Sequence, residues 1–198
     1  MRPVPRLALL LLAAAAAACA HAGDLPTGAS APERPGRYFP LAVGNEWTYV
    51  DRSPQLAVGD ARRRTVRIVS LDRDGYYVDS ARGALRAGRD CIEDRSRRIL
   101  CTPFEVGRRW SSVVSVGSTE HYEIAGVGET VHVPAGTFEG CVRVRARTRA
   151  GPDAENVLEI SYAPGVGPVR IETYAVVQGK VTPQVIGELA SYRTEERR

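Results

Sequence analysis

The sequence predicts one all-β domain, mainly antiparallel, with few or no long helices. From residue 38 onward, apolar and polar residues alternate with a period of two, which is typical of strands with one buried face. Glycine and proline interrupt this alternation often. No window shows the i, i+3, i+4, i+7 apolar spacing of an amphipathic helix. Many short strands separated by turn residues are typical of antiparallel sandwiches and barrels.

The predicted strands follow one another at short intervals. They are expected at residues 46–50, 65–71, 75–78, 112–116, 121–125, 129–133, 141–150, 157–162, 168–177 and 185–192. An Asp-Gly pair at 74–75 signals the first hairpin. Tight turns are also expected at residues 134–137 and 163–168, which are rich in proline and glycine.

The composition indicates one ordinary domain plus some extra chain. The protein has 198 residues, of which 43% are hydrophobic and 25% charged, so it is too apolar to be disordered and too short for two full domains. The formal net charge of +4 is small and spread along the chain. We therefore expect no nucleic-acid partner.

The first residues predict a signal peptide over 1–18. Arg2 and Arg6 precede a run of leucine and alanine at 7–18, which is too short to span a bilayer as a helix. Residues 19–37 are rich in proline and glycine without apolar periodicity, which is typical of a flexible tether. A single β-rich domain is expected over 38–194, and a charged tail over 195–198.

Residues 16–19, Ala-Ala-Ala-Cys, resemble the lipobox of bacterial lipoproteins. That resemblance implies cleavage before Cys19 and acylation of its thiol and amine, so that acyl chains hold the protein on a membrane. Ala20 is not the aspartate of an inner-membrane retention signal, which favours an outer-membrane lipoprotein facing the periplasm. Alternatively, residues 18–20 are an ordinary signal-peptidase site, which would release a soluble periplasmic protein.

A short motif occurs twice in the domain. Residues 40–47 and 103–110 share proline, valine, glycine and tryptophan at matching positions. Each copy is expected to turn at the glycine and to open a strand with a tryptophan. We favour core anchors for Trp47 and Trp110 over a ligand platform, because apolar residues flank both.

Three segments carry a resemblance to a known family. They are YFPLAVGNEWTY at 38–49, VPAGTFEGCV at 133–142 and YAPGVGPV at 162–169. These are similar to uncharacterised bacterial envelope lipoproteins whose sheet resembles the LolA/LolB half-barrel. The resemblance implies a curved open sheet or half-barrel in the cell envelope, and it brings no catalytic residues.

The strand at 141–150 has the clearest alternation. Arg143, Arg145, Arg147 and Arg149 fall on one face, opposite a face of small and apolar residues. Guanidinium groups two residues apart repel each other, so carboxylates such as Glu159 or Glu172 on following strands are expected to pair with them. The alternative is an anion-binding stripe for lipid headgroups or cell-wall polymers.

Export to an oxidising compartment predicts that cysteines of the domain pair. Cys91 and Cys101 flank a charged segment that is typical of a hairpin tip, and a disulfide between them is expected in an exported protein. Cys141 is left over, as a buried thiol or a reactive one. The cysteine spacing fits no zinc pattern, and we expect no metal or other cofactor.

No complete catalytic set is recognisable. The favoured function is therefore a non-enzymatic binding or assembly module of the envelope, with a lipid, another apolar ligand or an envelope protein as partner. A hydrolase or redox enzyme using Cys141, or His121 and His132 on neighbouring strands, is one alternative. A structural spacer subunit of an envelope complex is another.

Overall fold

A computed structural model of the chain describes residues 33–54 and 61–195. Its elements are α1 (Pro35–Tyr38), β1 (Glu46–Arg52), β2 (Ala61–Leu71), β3 (Tyr77–Asp79), β4 (Ala84–Ala87), β5 (Cys91–Glu93), β6 (Arg98–Cys101), β7 (Arg109–Ser115), β8 (Ser118–Val133), β9 (Gly136–Gly151), β10 (Ala154–Ala163), β11 (Gly167–Val177) and β12 (Lys180–Arg193). The strands form one sheet in the order β6-β5-β4-β3-β2-β1-β12-β11-β10-β9-β8-β7. This antiparallel sheet is curved and nearly closed into a barrel, which confirms the predicted all-β class.

The two edge strands of the sheet, β6 and β7, approach each other through side chains. The indole nitrogen of Trp110 donates to the Arg98 carbonyl at 2.6 Å, and the Arg98 amide donates to the Ser112 hydroxyl at 3.1 Å. The Arg98 guanidinium also donates to the Ser111 carbonyl at 3.2 Å. These bonds bring the edges together without a backbone ladder, and they leave less of each edge free for pairing with another chain.

The strand predictions were accurate for the long strands and incomplete for the short ones. Strand β8 runs continuously over residues 118–133, where the sequence predicted two strands. Its pairing with β9 shifts register near Gly126 and Gly128, so bulges allow the strand to bend and continue. Strands β4, β5 and β6 were not predicted as strands. They have only three or four residues each, too few to show alternation.

The far end of the β8–β9 hairpin packs against β12. The amide of Ala135 donates to the Leu189 carbonyl on β12 at 2.9 Å, and the Phe138 ring lies edge-on to Tyr192 at 5.9 Å. Glycines with positive φ at positions 128 and 140 permit the bend. Apolar residues of the 133–142 motif therefore belong to the core or pack against it.

The two copies of the tryptophan motif adopt the same local structure. Gly44 and Gly107 both have positive φ, and their amides donate to the carbonyls of Ile68 and Ile124, each at 2.9 Å. Trp47 is buried, whereas Trp110 is half-buried and stacks on Tyr122 at 5.3 Å. Both indoles therefore act as packing anchors at the start of a strand.

The folded part of the chain reaches into the last residues of the segment predicted as a tether. Pro35 opens α1 and is buried, and the Arg37 carbonyl accepts from the Gly165 amide at 2.7 Å. Proline suits the first position of a helical turn because its missing N–H has no partner there. Among the described residues, no helix is long and apolar enough to cross a membrane.

Candidate functional site

The inner face of the curved sheet encloses a cavity of about 190 Å³. Strands from both halves of the sheet and the segment after α1 line it, mainly with apolar and aromatic side chains. These include Phe39, Trp47, Ile99, Ile160, Tyr162 and Ile171. Several of the lining side chains, Ile160 and Ile171 among them, keep partial exposure. The cavity is therefore an apolar space that small molecules can reach.

Phe39 covers one side of this cavity. Its ring lies edge-on to Trp47 at 5.6 Å and tilted against Tyr162 at 5.9 Å. Phe39 belongs to the family-like motif at 38–49, which directly follows the predicted tether. The sequence predicts that the domain begins with these residues, but their spacing does not indicate that they line a cavity.

Most polar groups around the cavity have partners within the protein. The Trp47 indole nitrogen donates to the Val166 carbonyl at 2.7 Å, and the Tyr49 hydroxyl donates to the Pro168 carbonyl at 2.9 Å. Burial raises the pKa of the Tyr49 phenol well above its usual value, with Arg64 opposing this effect. Tyr49 is therefore a neutral donor at physiological pH.

One charged pair marks the polar side of the cavity. The Arg64 guanidinium binds Asp51 through Nε at 2.7 Å and Nη2 at 3.1 Å, and it lies over the Tyr49 ring at 4.8 Å. The hydrogen bond to Asp51 raises the pKa of Arg64. The carboxylate of Asp79 also lines the cavity, where its Oδ1 accepts from the amides of Ala81 and Gly83, both at 2.8 Å.

The arginine stripe on β9 lies on the outer face and is largely paired with carboxylates. Arg143 binds Glu129 at 2.9 Å and Glu159 at 3.0 Å, and Arg145 also binds Glu159. Arg147 reaches Glu155 at 3.5 Å and Arg149 donates to the Gly151 carbonyl at 3.1 Å. The alternative partner considered for the stripe, Glu172, instead binds Arg170 at 3.3 Å.

Glu159 is the centre of this outer network. Its side chain is only 8% exposed, and Tyr174 donates a third hydrogen bond to it at 2.9 Å. Burial by itself would raise the pKa of this carboxyl, but hydrogen bonds from Arg145, Tyr174 and Arg143 outweigh burial and lower it. Pairing within the sheet therefore accounts for the stripe without an external anion.

A second concave region lies beside the stripe on the outer face. This groove of about 440 Å³ is lined by Arg109, His121, Glu123, Arg145, Arg147 and Glu155. Positive and negative groups are interleaved in it, and Arg109 binds Glu123 at 3.2 Å. The groove is therefore a mixed-charge surface, and its lining residues have no large excess of positive charge that would bind an anion strongly.

The two histidines do not form a common site. The sequence predicts neighbouring strands for His121 and His132, but both lie on β8, eleven residues apart, or about 35 Å of strand. His121 bonds to the Ser111 hydroxyl at 3.0 Å, and His132 bonds to the Thr137 hydroxyl at 2.9 Å. Within residues 33–54 and 61–195, no three His, Cys, Asp or Glu side chains could hold a metal ion together.

The cysteines of the domain separate into a pair and a single thiol. Cys91 and Cys101 are bonded to each other across the β5–β6 hairpin. Cys141 is fully buried, and burial raises the pKa of its thiol to about 11, with Glu129 adding to the effect. A nucleophilic thiolate needs the opposite shift, so the surroundings of Cys141 suit a packing role. Cys19 and the predicted signal peptide lie outside the described residues.

Comparisons with known proteins identify the fold alone. The chain is similar to the crystal structure of a predicted exported protein with a YmcC-like fold from Bacteroides fragilis, with a TM-score of 0.50, 15% identity, and coverage of 78% of this chain and 97% of the other. A predicted lipoprotein from Parabacteroides distasonis has a TM-score of 0.43 and 13% identity, over 79% of this chain and 98% of the other. Neither protein-family models nor curated proteins gave a match.

Proposed function

We propose that this chain is an exported, lipid-anchored protein of the cell envelope whose β-domain is a non-enzymatic module that binds an apolar ligand inside its curved sheet. The observation that carries the ligand-binding role is the 190 Å³ cavity, walled by apolar side chains from strands that are far apart in sequence. Its described lining residues include no Ser, Thr, Cys or His. Apolar burial is the chemistry that such a cavity offers.

The size of the cavity indicates what it can hold. An apolar cavity of about 150 Å³ engineered into another protein stays dry and binds benzene. The present cavity is somewhat larger, but it is smaller than the roughly 300–1,000 Å³ of pockets for drug-sized molecules. It therefore suits one segment of an aliphatic chain, and the remainder of a longer ligand would extend along the partly exposed side chains of the inner face.

The anchoring role is supported by the leader and by Cys19 at the end of its apolar run. Acyl chains on Cys19 would hold the domain at a membrane, and the alanine after the cysteine favours the outer membrane. A curved sheet like the LolA/LolB half-barrel, which the resemblance of the sequence motifs implies, is part of this proposal. The described part of the chain begins at residue 33, and the predicted tether after Cys19 would serve as the spacer between the acyl chains and the domain.

A tryptophan substitution inside the cavity tests ligand binding. We expect Ile171→Trp to fill the space, and native mass spectrometry of the purified protein should show less retained apolar ligand than in the wild type. Val177→Trp is the matched control, because Val177 lies on the same strand, is 50% exposed and does not line the cavity. Equal retention by both variants, or no retained ligand in the wild type, would contradict the binding role.

The anchor is tested separately from the ligand. Radiolabelled palmitate should enter the wild-type protein but not Cys19→Ser, and the wild type should sediment with outer membranes. A wild-type protein that stays soluble in the periplasm without label would show that residues 18–20 are an ordinary cleavage site. The ligand-binding proposal would remain, since it depends on the domain alone.

A further inference from the structure

Arg62 differs from the other charged groups on the inner face of the sheet. It is exposed and lies on β2, opposite Asp51 on β1. Because side chains alternate along a strand, Arg62 is on the same face of β2 as Arg64 and Val66, which line the cavity. The Arg62 guanidinium forms no hydrogen bond or ion pair with another described residue.

The strand registers place Arg62 in one row with two side chains of the cavity wall. Opposite Asp51 lies Gly187 on β12, and opposite Gly187 lies Ile171 on β11. Ile171 in turn pairs with Ile160 on β10, and both isoleucines line the cavity with partial exposure. Three strand spacings separate Arg62 from Ile171, or about 14 Å across the sheet. One extended chain molecule can therefore contact both.

The carboxylate opposite Arg62 is already occupied. Both oxygens of Asp51 accept hydrogen bonds from Arg64, at 2.7 and 3.1 Å. This ion pair lies toward β12, because Asp51 Oδ1 and Arg64 Nη2 would be 2.7 and 3.5 Å from a Cβ at Gly187. It is therefore directed away from Arg62, which lies on the other side of β1. One carboxylate and two guanidinium groups leave one positive charge uncompensated.

The sheet has a gap beside Arg62. Strand β3 pairs with β2 only from Ile68 onward, and no other described strand pairs with that edge of β2 at residues 61–66. Arg64 and Val66 on this part of β2 belong to the cavity wall. The margin of the cavity next to the gap therefore carries an exposed cation without a partner among the described residues.

We propose that the ligand of the cavity is a single-chain aliphatic carboxylate, such as a fatty acid, and that Arg62 binds its head group. This inference rests on the proposed function and names the chemical class of its ligand. The aliphatic chain packs against the apolar wall, and the planar guanidinium donates two parallel hydrogen bonds to the carboxylate. Because Arg62 is exposed, the carboxylate stays in contact with water and avoids the cost of burying a charge.

Two probes that differ only in the head group test this inference. They are tritiated dodecanoate and tritiated dodecan-1-ol, at a pH well above the pKa of the acid. Scintillation proximity measures their dissociation constants for the immobilised full-length protein in a non-ionic detergent. The preference for the carboxylate is the dissociation constant of the alcohol divided by that of the acid. It is compared between variants, because partition of each probe into detergent is the same for all of them and cancels.

We expect Arg62→Gln to lower this preference by about five- to tenfold, between the upper value for an exposed ion pair and the lower value for a hydrogen bond to a charged group. Arg63→Gln is the matched control. Arg63 is also exposed and has no described partner, but alternation places it on the outer face, opposite Val50. It removes the same charge, so the preference should remain. Circular dichroism establishes that both variants are folded.

The possible outcomes separate this inference from the proposed function. If the wild type binds neither probe saturably, or if Ile171→Trp weakens neither, the cavity does not bind aliphatic chains and the proposed function fails. If both probes bind but the preference is unchanged in Arg62→Gln, the cavity binds chains without this head-group contact and the inference is overturned. An equal fall in Arg63→Gln would show a general effect of surface charge and would also refute it.

A third probe, dodecyl phosphate, distinguishes the two common anionic head groups. A single guanidinium matches the single charge of a carboxylate, so we expect dodecanoate to bind at least as tightly as the phosphate. If the phosphate binds more tightly to the wild type and loses this advantage in Arg62→Gln, the head group is a phosphate and the assignment of a carboxylate is wrong.

Discussion

Replacing Glu159 by glutamine should destabilise the domain by about 2–3 kcal/mol. The carboxylate accepts hydrogen bonds from Arg143, Arg145 and Tyr174, and its side chain is 8% exposed. A hydrogen bond to a charged group contributes about 1.5–3 kcal/mol. An amide removes the charge and turns an N–H group toward one of the guanidinium groups. Arg143 keeps Glu129 as a partner, and water reaches both Arg143 and Arg145. The loss of stability is therefore smaller than the sum of the three hydrogen bonds.

Glu155→Gln is the matched control for this prediction. It is the same substitution on the same face of the same strand, but Glu155 is 45% exposed and lies 3.5 Å from its partner Arg147. An exposed pair of this kind contributes about 0.5 kcal/mol or less. Urea titration followed by tryptophan fluorescence measures both free energies of unfolding. Equal losses of stability in the two variants would refute the idea that burial and several hydrogen bonds make Glu159 contribute more than Glu155.

The same pair of proteins gives a pH test with a definite sign. Hydrogen bonds from Arg145, Tyr174 and Arg143 outweigh the effect of burial and lower the pKa of Glu159 below the ordinary value of 4.5 in the folded protein. The stability that the Glu159 carboxylate contributes is therefore fully present above about pH 4.5. It is lost as the pH falls through the pKa of Glu159 in the folded protein. We expect the stability gap between wild type and Glu159→Gln to be constant from pH 7 to pH 5 and to shrink below pH 4.5. A gap that is unchanged at pH 3 would mean that the charge is not its cause.

Three further predictions concern backbone strain and cysteine chemistry. Gly167→Ala should lower the stability of the domain by about 1–3 kcal/mol, because φ at Gly167 is +111° and a Cβ there would lie 3.1 Å from the buried Trp47 indole. Gly179→Ala is the control, because φ at Gly179 is +77° and no atom lies near the added Cβ. Thermal unfolding of this control measures the cost of the backbone conformation alone. Reducing the Cys91–Cys101 disulfide should lower stability by about 2–3 kcal/mol, since it frees a short loop in the unfolded chain; an unchanged urea midpoint would contradict this. Cys141 should resist a maleimide in the native protein and react on unfolding, and rapid native labelling would show that the thiol is accessible.

Local patterns predicted much of the fold because they act within a few residues. Alternation along residues 141–150 correctly assigned Val144 to the buried face and Arg145 to the other. The charged segment between Cys91 and Cys101 indicated the hairpin that carries their disulfide. The β4 strand has too few residues to carry a period, and its place in the sheet depends on pairing with β3 and β5.

By itself, the sequence determined the class of the fold, the inward and outward faces of the long strands, and an N-terminus typical of export. Each of these follows from residue spacing along one strand or one segment. The tertiary structure decided which distant residues meet. The β9–β10 register places Glu159 opposite Arg145, whereas Glu172 lies one strand further away beside Arg170. Curvature likewise brings Ile99 and Ile160 to one cavity, and curvature depends on the packing of the whole sheet, which no local pattern records.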